Sequence, residues 1–125
     1  QKRRTNFVHH FKNIILFVAL EFFNIMYLET LATTSNTTSR VFNLTKEKLK
    51  EESLNTLFKN QGIYNGLLGL GLLYGLFFSN APIEISRIFL IYIIFVALYG
   101  SLTSDKKIIL TQGGLAIIAL VTTFF

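Results

Sequence analysis

The chain has 125 residues, of which 51% are hydrophobic and 15% are charged, and its formal net charge is +5 at pH 7. Globular domains usually carry about a quarter charged residues, so this composition excludes a typical small soluble domain. The apolar residues come in long blocks with the charges between them, which is the pattern of membrane proteins. We therefore predict an all-α fold, an integral membrane up-down bundle of four transmembrane helices that forms a single membrane domain over residues 1–125.

The first predicted span covers residues 13–34, which at 1.5 Å per residue is long enough to cross a hydrocarbon core of roughly 30 Å. A polar run from Thr33 to Ser39 ends it. In the loop that follows, Thr45 is a typical helix N-cap residue, and we predict a short amphipathic helix over residues 46–58. This loop helix lies either on the membrane surface or against the bundle.

The second predicted span, residues 61–79, contains two pairs of glycines four residues apart, Gly62 with Gly66 and Gly71 with Gly75. Small residues at this spacing let the backbones of membrane helices approach closely. The pattern also arises by chance in apolar segments. It nevertheless favours close packing of this helix against its neighbours.

Two further spans are predicted at residues 83–102, after a turn that ends in Pro82, and at residues 108–125. The short connections between the last three spans require neighbouring helices to run antiparallel. The lysines and arginines flank the apolar segments, which indicates contact with lipid headgroups and not with nucleic acid. Seven of them would be cytoplasmic with both termini outside, against five in the reverse orientation, so the count favours termini outside.

The most unusual residue of the first span is Glu21, which lies near its middle. An ionised carboxylate there costs at least about 2.5–3.5 kcal/mol on insertion scales, so the group is either protonated or partnered. Glu29 lies eight residues on, about 80° around the helix, and both can face the bundle interior. Asn24 and Tyr27 add polar groups to the same helix. These residues indicate either a proton, cation or ligand site, or hydrogen bonds that hold helices together.

The second span opens with Gln61, Tyr64 and Asn65, whose spacing places Gln61 next to both of the others on the helix. We predict that Glu21, Glu29, Gln61, Tyr64 and Asn65 line an interior ion- or ligand-binding site, with Glu21 as its titrating member. Tyr99 in the third span and Gln112 in the fourth are secondary candidates, as are Asn24 and Tyr27. For each of these uncharged groups, an ordinary interhelical hydrogen bond or interfacial anchor is the alternative.

We predict no catalytic residues, no metal site and no cofactor. The only histidines, His9 and His10, are adjacent and point about 100° apart on a helix, so they do not form a shared chelating face. The glycines lie inside an apolar helix and not in a phosphate-binding loop. The predicted environment is the lipid bilayer of the cell membrane, with a homodimer or another membrane protein as a further partner.

Several stretches of the chain resemble a known family. They are Ala19-Leu20-Glu21 with Ile25 to Glu29, Arg40-Val41-Phe42, Asn60-Gln61-Gly62-Ile63-Tyr64-Asn65-Gly66, and Tyr99-Gly100 through Gln112-Gly113. In these residues, from about Phe17 onward, the chain resembles the bacterial and fungal membrane family catalogued as domain of unknown function 1304. The resemblance implies a four-helix protein of the cell membrane and carries no established activity.

The chain departs from the family pattern at two positions. Family members typically have histidine after the first glutamate, where this chain has Phe22, so a Glu–His proton relay has no second member here. The fourth helix reads Gln112-Gly113-Gly114-Leu115-Ala116 where the family tends to read Gln-Gly-Leu-Pro-Ala. The kink that proline would give is therefore absent, although glycine leaves flexibility there.

Two functions are open at this point. The first is a small transporter or ligand-binding bundle with an interior polar site around Glu21. The second is an accessory, partner-binding or immunity-type membrane protein in which the glutamates are structural. An intramembrane enzyme would need a nucleophile or a set of cofactor ligands that the sequence does not show.

Overall fold

The computed structural model of the chain describes the backbone of residues 2–103 and 113–124, and within these ranges the side chains from residue 10 onward. This part of the chain is all-α and contains no strand. Its helices are α1 (Lys2–Thr30), α2 (Asn36–Phe42), α3 (Lys46–Lys50), α4 (Glu52–Phe77), α5 (Pro82–Thr103) and α6 (Gly114–Thr122).

Two of these helices contain segments long and apolar enough to cross a membrane, His10–Thr30 of α1 and Pro82–Thr103 of α5. Both coincide with predicted spans. The predicted span at residues 61–79 lies largely in α4, which is not among the helices that pass this test within the described residues. Gln61, Asn65 and the glycines lower the hydropathy of that segment. The predicted span at 108–125 lies only partly within the described residues, where it forms α6.

The contacts of the chain divide it into two compact units, one of Gln1–Ala19 with Gly71–Phe125 and one of Leu20–Leu70. In the second unit, α1 presents buried Phe22, Ile25 and Leu28 at helical spacing. α1 ends at Thr30, earlier than the predicted residue 34. Threonine hydroxyls donate hydrogen bonds to carbonyl oxygens of its last turn, which no longer need a helical N–H partner. The Thr30 hydroxyl donates to Met26 O at 2.6 Å and the Thr33 hydroxyl to Glu29 O at 2.7 Å.

Helix α2 occupies part of the polar segment that was expected to form a loop. The Ser35 side chain caps it by accepting a hydrogen bond from Thr38 N at 3.1 Å. Asn43, with φ of 55°, ends it in the left-handed conformation, and the next residue, Leu44, donates its N–H to Ser39 O at 3.0 Å. This is a Schellman ending, in which asparagine takes the place more often held by glycine.

The single loop helix predicted over residues 46–58 is corrected by the structure. Its predicted start is confirmed, since Thr45 Oγ1 accepts a hydrogen bond from Lys48 N at 3.2 Å. Glu51 then leaves the helical region with ψ of 131°, which ends α3. From Glu52 onward no proline interrupts the chain before Phe77, so the rest of the predicted loop helix continues directly into α4.

The close approach predicted for the first glycine pair is present in the second unit. A Cβ on Gly62 would lie 2.6 Å from Thr30 Cγ2 and 3.1 Å from Glu29 Cβ, and a Cβ on Gly66 would collide with the Met26 sulfur. The later residue of α4 meets the earlier residue of α1, so the two helices run antiparallel. Only glycine leaves room for this contact.

In the unit that contains residues 71–125, the second glycine pair packs on α5 in the same way. A Cβ on Gly71 would collide with the Phe89 ring, and one on Gly75 would lie 2.6 Å from Ile85 Cγ2. The buried face of α5 is formed by Ser86, Leu90, Ile93 and Ala97. Helix α6 packs on α5 and buries Ala116 and Ala119. Pro82 occupies the first helical position of α5, and Ile85 N donates to Ala81 O at 3.1 Å.

We expect Gly62→Ala to lower the free energy of unfolding by about 1–3 kcal/mol, because the added methyl meets Thr30, the Glu29 Cβ and the backbone at Met26 O. Gly66→Ala should cost less, since the atom it meets is the far end of a flexible methionine. Gly114→Ala is the matched control: its Cβ meets nothing within 4 Å, and the change should stabilise by up to about 1 kcal/mol. Denaturant unfolding in detergent micelles measures all three, and equal effects of Gly62→Ala and Gly114→Ala would contradict the close approach.

Candidate functional site

A buried carboxyl group lies between α1 and α4 in the unit of residues 20–70. Glu29 is 3% exposed, and Asn65 Nδ2 donates a hydrogen bond to its Oε1 at 2.5 Å. The two residues are 36 positions apart in the sequence, so the bond links the last turns of α1 to the middle of α4. We call Glu29 and Asn65 the polar pair.

The local sequence explains why the polar pair forms where it does. Gly62 lies one turn before Asn65 and Gly66 directly follows it, and both are buried against α1. The short distance between the helix backbones allows the short asparagine side chain to reach Glu29.

The chemistry available at the polar pair is that of one carboxyl group and one carboxamide. A carboxylate accepts hydrogen bonds only, and the asparagine amide donates to it, so the pair satisfies the ionised acid at least in part. When protonated, the carboxyl group becomes a donor. The residues described contain no group of three or more histidine, cysteine, aspartate or glutamate side chains that could hold a metal ion. The chemistry of the pair is therefore proton uptake and release by the Glu29 carboxyl group, next to a hydrogen-bond donor from Asn65.

Glu21, predicted as the titrating centre, does not join this pair. Its side chain is half-buried, and no hydrogen bond connects it to another side chain within the described part of the chain. Glu29 is the more enclosed of the two acids and the one with a polar partner on another helix. The centre of the candidate site therefore moves from Glu21 to Glu29.

The interior site predicted from five residues is not assembled as expected. Gln61 and Tyr64 are exposed, Tyr64 by 67%, although they flank the buried Gly62. Asn65 reaches Glu29 because its direction on α4 differs from that of Gln61 by about 40°, enough to move it from the surface to the helix contact. Of the secondary candidates, Asn24, Tyr27 and Tyr99 are exposed, and Gln112 lies outside the described residues.

A second polar cluster, which the sequence pattern did not predict, is centred on the fully buried Thr38. Its hydroxyl donates to Ala32 O at 2.6 Å and also lies 3.1 Å from Leu28 O. The Ser35 hydroxyl lies 3.0 Å from the Thr38 hydroxyl. Because the Thr38 proton is directed to Ala32 O, the Ser35 hydroxyl can donate to the Thr38 oxygen, while the Ser35 oxygen accepts from Thr38 N. This cluster ties α2 to the end of α1. The Ser-x-x-Thr spacing could have indicated a helix cap here, but the polar run suggested only a loop.

Arg87 was counted from the sequence only as a charge that bears on orientation. In the structure it holds the C-terminal end of α6: its Nε donates to Thr123 Oγ1 at 2.9 Å and its Nη2 to Thr123 O at 2.6 Å. Its guanidinium also lies 4.2 Å from the centre of the Phe124 ring. A cation at a helix C-terminus satisfies unpaired carbonyl groups and interacts favourably with the helix dipole. The signal available in the sequence was its place next to the long apolar stretch of α5, where an ionisable residue usually has a partner.

We expect Asn65→Leu to destabilise the protein by about 0.5–2 kcal/mol, because the buried Glu29 carboxyl loses its donor. In a Glu29→Leu background the same change should cost much less, since no carboxyl group remains to be satisfied. Glu29→Gln is the matched conservative variant, as its amide oxygen can still accept from Asn65. A double-mutant cycle from unfolding in detergent measures the coupling, and a coupling energy of zero would contradict the hydrogen bond.

Comparison with known proteins supports the resemblance noted from the sequence. The family model described as "Protein of unknown function (DUF1304)" matches residues 16–124. The chain is 74% identical over 110 residues to a protein of Lactococcus lactis subsp. lactis (strain IL1403) named "Uncharacterized protein YpaA", covering 88% of this chain and 92% of that protein. No solved structure matches the chain. The matched region includes Glu29, Asn65 and Arg87, and the chain belongs to the family of domain of unknown function 1304.

Proposed function

We propose that the chain is a multi-pass protein of the cell membrane, an up-down bundle of four transmembrane helices that acts as a small transporter or ligand-binding bundle. Its functional centre is the polar pair of Glu29 and Asn65. The observation that carries the proposal is the hydrogen bond from Asn65 to a glutamate that is only 3% exposed. Ionisable residues inside membrane segments are costly and most often mark ion, proton or substrate pathways.

The exposure of apolar side chains supports the placement in a membrane. Only 22% of the most apolar stretch of α5 is buried. A core helix with the same hydropathy in a soluble protein would be mostly buried. Large apolar residues of α5 such as Phe95 and Leu102 are 65% and 79% exposed. Apolar patches of this extent are rare on soluble monomers and suit contact with lipid. Two helices are long and apolar enough to be spans, and the proposal adds residues 61–79 and 108–125 as the other two.

An accessory, partner-binding or immunity-type membrane protein is the second candidate. It is favoured by the polar residues Asn24, Gln61 and Tyr64, which are exposed on α1 and α4 and would face lipid in an isolated bundle. Polar side chains of membrane helices usually hydrogen-bond to another helix. Purification in mild detergent discriminates the candidates, because an accessory protein should carry a stoichiometric partner of different sequence.

The transport proposal predicts that Glu29→Gln abolishes the response of proteoliposomes to a pH gradient. The experiment loads the vesicles with a pH-sensitive dye and imposes proton and K⁺ gradients in turn. Wild-type protein should show a flux above that of empty vesicles, and Glu29→Gln should return it to the empty-vesicle level because the amide cannot exchange a proton. Glu84→Gln is the matched control, since Glu84 is exposed in the first turn of α5 and should leave the flux unchanged. A Glu29→Gln flux equal to wild type would overturn the assignment.

The proposed orientation, with both termini outside, predicts that two segments of the chain are accessible from opposite sides of the membrane. The protein has no cysteine, so single substitutions can be labelled without background. Asn80→Cys, between α4 and α5, should react with a membrane-impermeant maleimide in intact cells. Thr37→Cys, equally exposed in α2, should react only after the membrane is permeabilised. The reverse result would invert the orientation, and labelling of both in intact cells would contradict the multi-pass arrangement.

A further inference from the structure

Helix α1 has an exposed face that its packing within the unit of residues 20–70 does not use. Leu20, Asn24, Tyr27 and Leu31 follow one another at spacings of four, three and four residues, and we call them the outer α1 face. Leu20 is 60% exposed, Tyr27 52% and Leu31 82%, and Asn24 is exposed as well. Alternating spacings of three and four residues form the contact seam of paired helices.

This face is distinct from the one that α1 turns towards α4. The residues of this stretch that contact α4 are Met26, Glu29 and Thr30. The outer α1 face extends over twelve residues, about 16 Å along the helix axis or three turns. It is thus a continuous helix surface that remains available after the unit of residues 20–70 has formed.

Asn24 lies within this face and determines what can cover it. Its carboxamide has two N–H donors and an acceptor oxygen. Lipid tails can satisfy none of them, so within a membrane the side chain needs a polar partner from another helix. The other three members of the face are apolar or aromatic, and none of the four is charged.

The electrostatics of the face favour a second copy of this chain. Around a two-fold axis each residue near the axis meets its own counterpart, so a charged residue would be opposed by a like charge. Two asparagine side chains that meet at the axis can instead hydrogen-bond to each other, because the N–H of one carboxamide donates to the oxygen of the other. A single polar asparagine in an apolar seam also fixes the register of paired helices.

We propose that the outer α1 face pairs with the same face of a second copy in the membrane, with the two Asn24 side chains hydrogen-bonded across the two-fold axis. The proposal rests on the membrane placement proposed above and requires neither transport nor ligand binding. In the dimer, Leu20, Tyr27 and Leu31 pack on either side of the asparagine contact. The polar residue that would otherwise be exposed to lipid is then satisfied.

Single-cysteine crosslinking in native membranes tests the proposal, and the chain supplies no cysteine of its own. Leu20→Cys and Tyr27→Cys should give covalent dimers under mild oxidation, since a disulfide requires Cα atoms within about 7 Å. Phe95→Cys is the matched control, because Phe95 is 65% exposed on the other apolar helix and lies outside the proposed seam. It should remain monomeric.

Substitution of Asn24 separates a specific contact from general crowding. Asn24→Val, measured in detergent or lipid by the dilution dependence of the dimer, should lower the association constant about three- to tenfold. Asn24→Gln, which keeps the carboxamide, should retain most of it. An unchanged constant in Asn24→Val would overturn the asparagine contact.

The remaining outcomes are also decisive. Absence of crosslinks at Leu20 and Tyr27, or equal crosslinking at Phe95, would overturn the dimer, and products of a different mass would show that another protein covers the face. Alkaline carbonate extraction of the same membranes separates this failure from that of the proposed function. If the chain stays in the pellet without crosslinks, only the dimer is lost; if it is washed off, the membrane placement fails and the dimer proposal with it.

Discussion

The hydrogen bond between Asn65 and the buried carboxyl group of Glu29 places a strong constraint on the packing of α1 and α4. A buried acid requires a partner, and an asparagine side chain reaches one only if the two helix backbones come close together. Gly62 and Gly66 make that approach possible, because a methyl group at either position would collide with α1. The glycine pair and the polar pair therefore depend on each other: the glycines bring the amide within reach, and the amide makes the buried acid tolerable.

The end of α1 is organised around the same contact. The hydroxyls of Thr30 and Thr33 bind the last carbonyl groups of the helix, so the chain can turn there without leaving acceptors unsatisfied. The buried Thr38 then fastens α2 to this turn. Many exposed side chains of the described residues are apolar. These hydrogen bonds satisfy both the threonine hydroxyls and the carbonyl oxygens within the protein. Glu29 thus lies in the last turn of α1, next to this group of hydroxyl bonds.

Much of this arrangement could be predicted from the sequence, and the parts that could not have specific physical causes. The lengths of the apolar blocks predicted α1 and α5, Thr45 predicted the start of α3, and the glycine spacing indicated close packing. The sequence also placed Glu29 and Asn65 among the candidate site residues. It could not rank Glu29 above Glu21, because burial depends on which neighbour covers each acid. It placed Gln61 and Tyr64 inside, because spacing along a helix shows which residues share a face but not where the edge of that face lies.

The two faces of α1 suggest two separate roles for its polar residues. Glu29 faces inward and is satisfied within the chain, whereas Asn24 faces outward and is not satisfied by α4. Membrane proteins seldom leave a carboxamide among lipid tails. A bundle that carries its functional carboxyl group between α1 and α4 and associates through the outside of α1 would use both Glu29 and Asn24.

The most direct test of this account is a solid-state NMR measurement of the dipolar coupling between the Glu29 carboxyl carbon and the Asn65 side-chain nitrogen in lipid bilayers. Labels introduced at these two residues report on the polar pair itself and not on the stability of the whole bundle. The account predicts a coupling that corresponds to a direct hydrogen bond, with nitrogen and oxygen about 2.7–3.2 Å apart, and its loss in Gly62→Val. A wild-type protein that is folded in bilayers and shows no such coupling would contradict it.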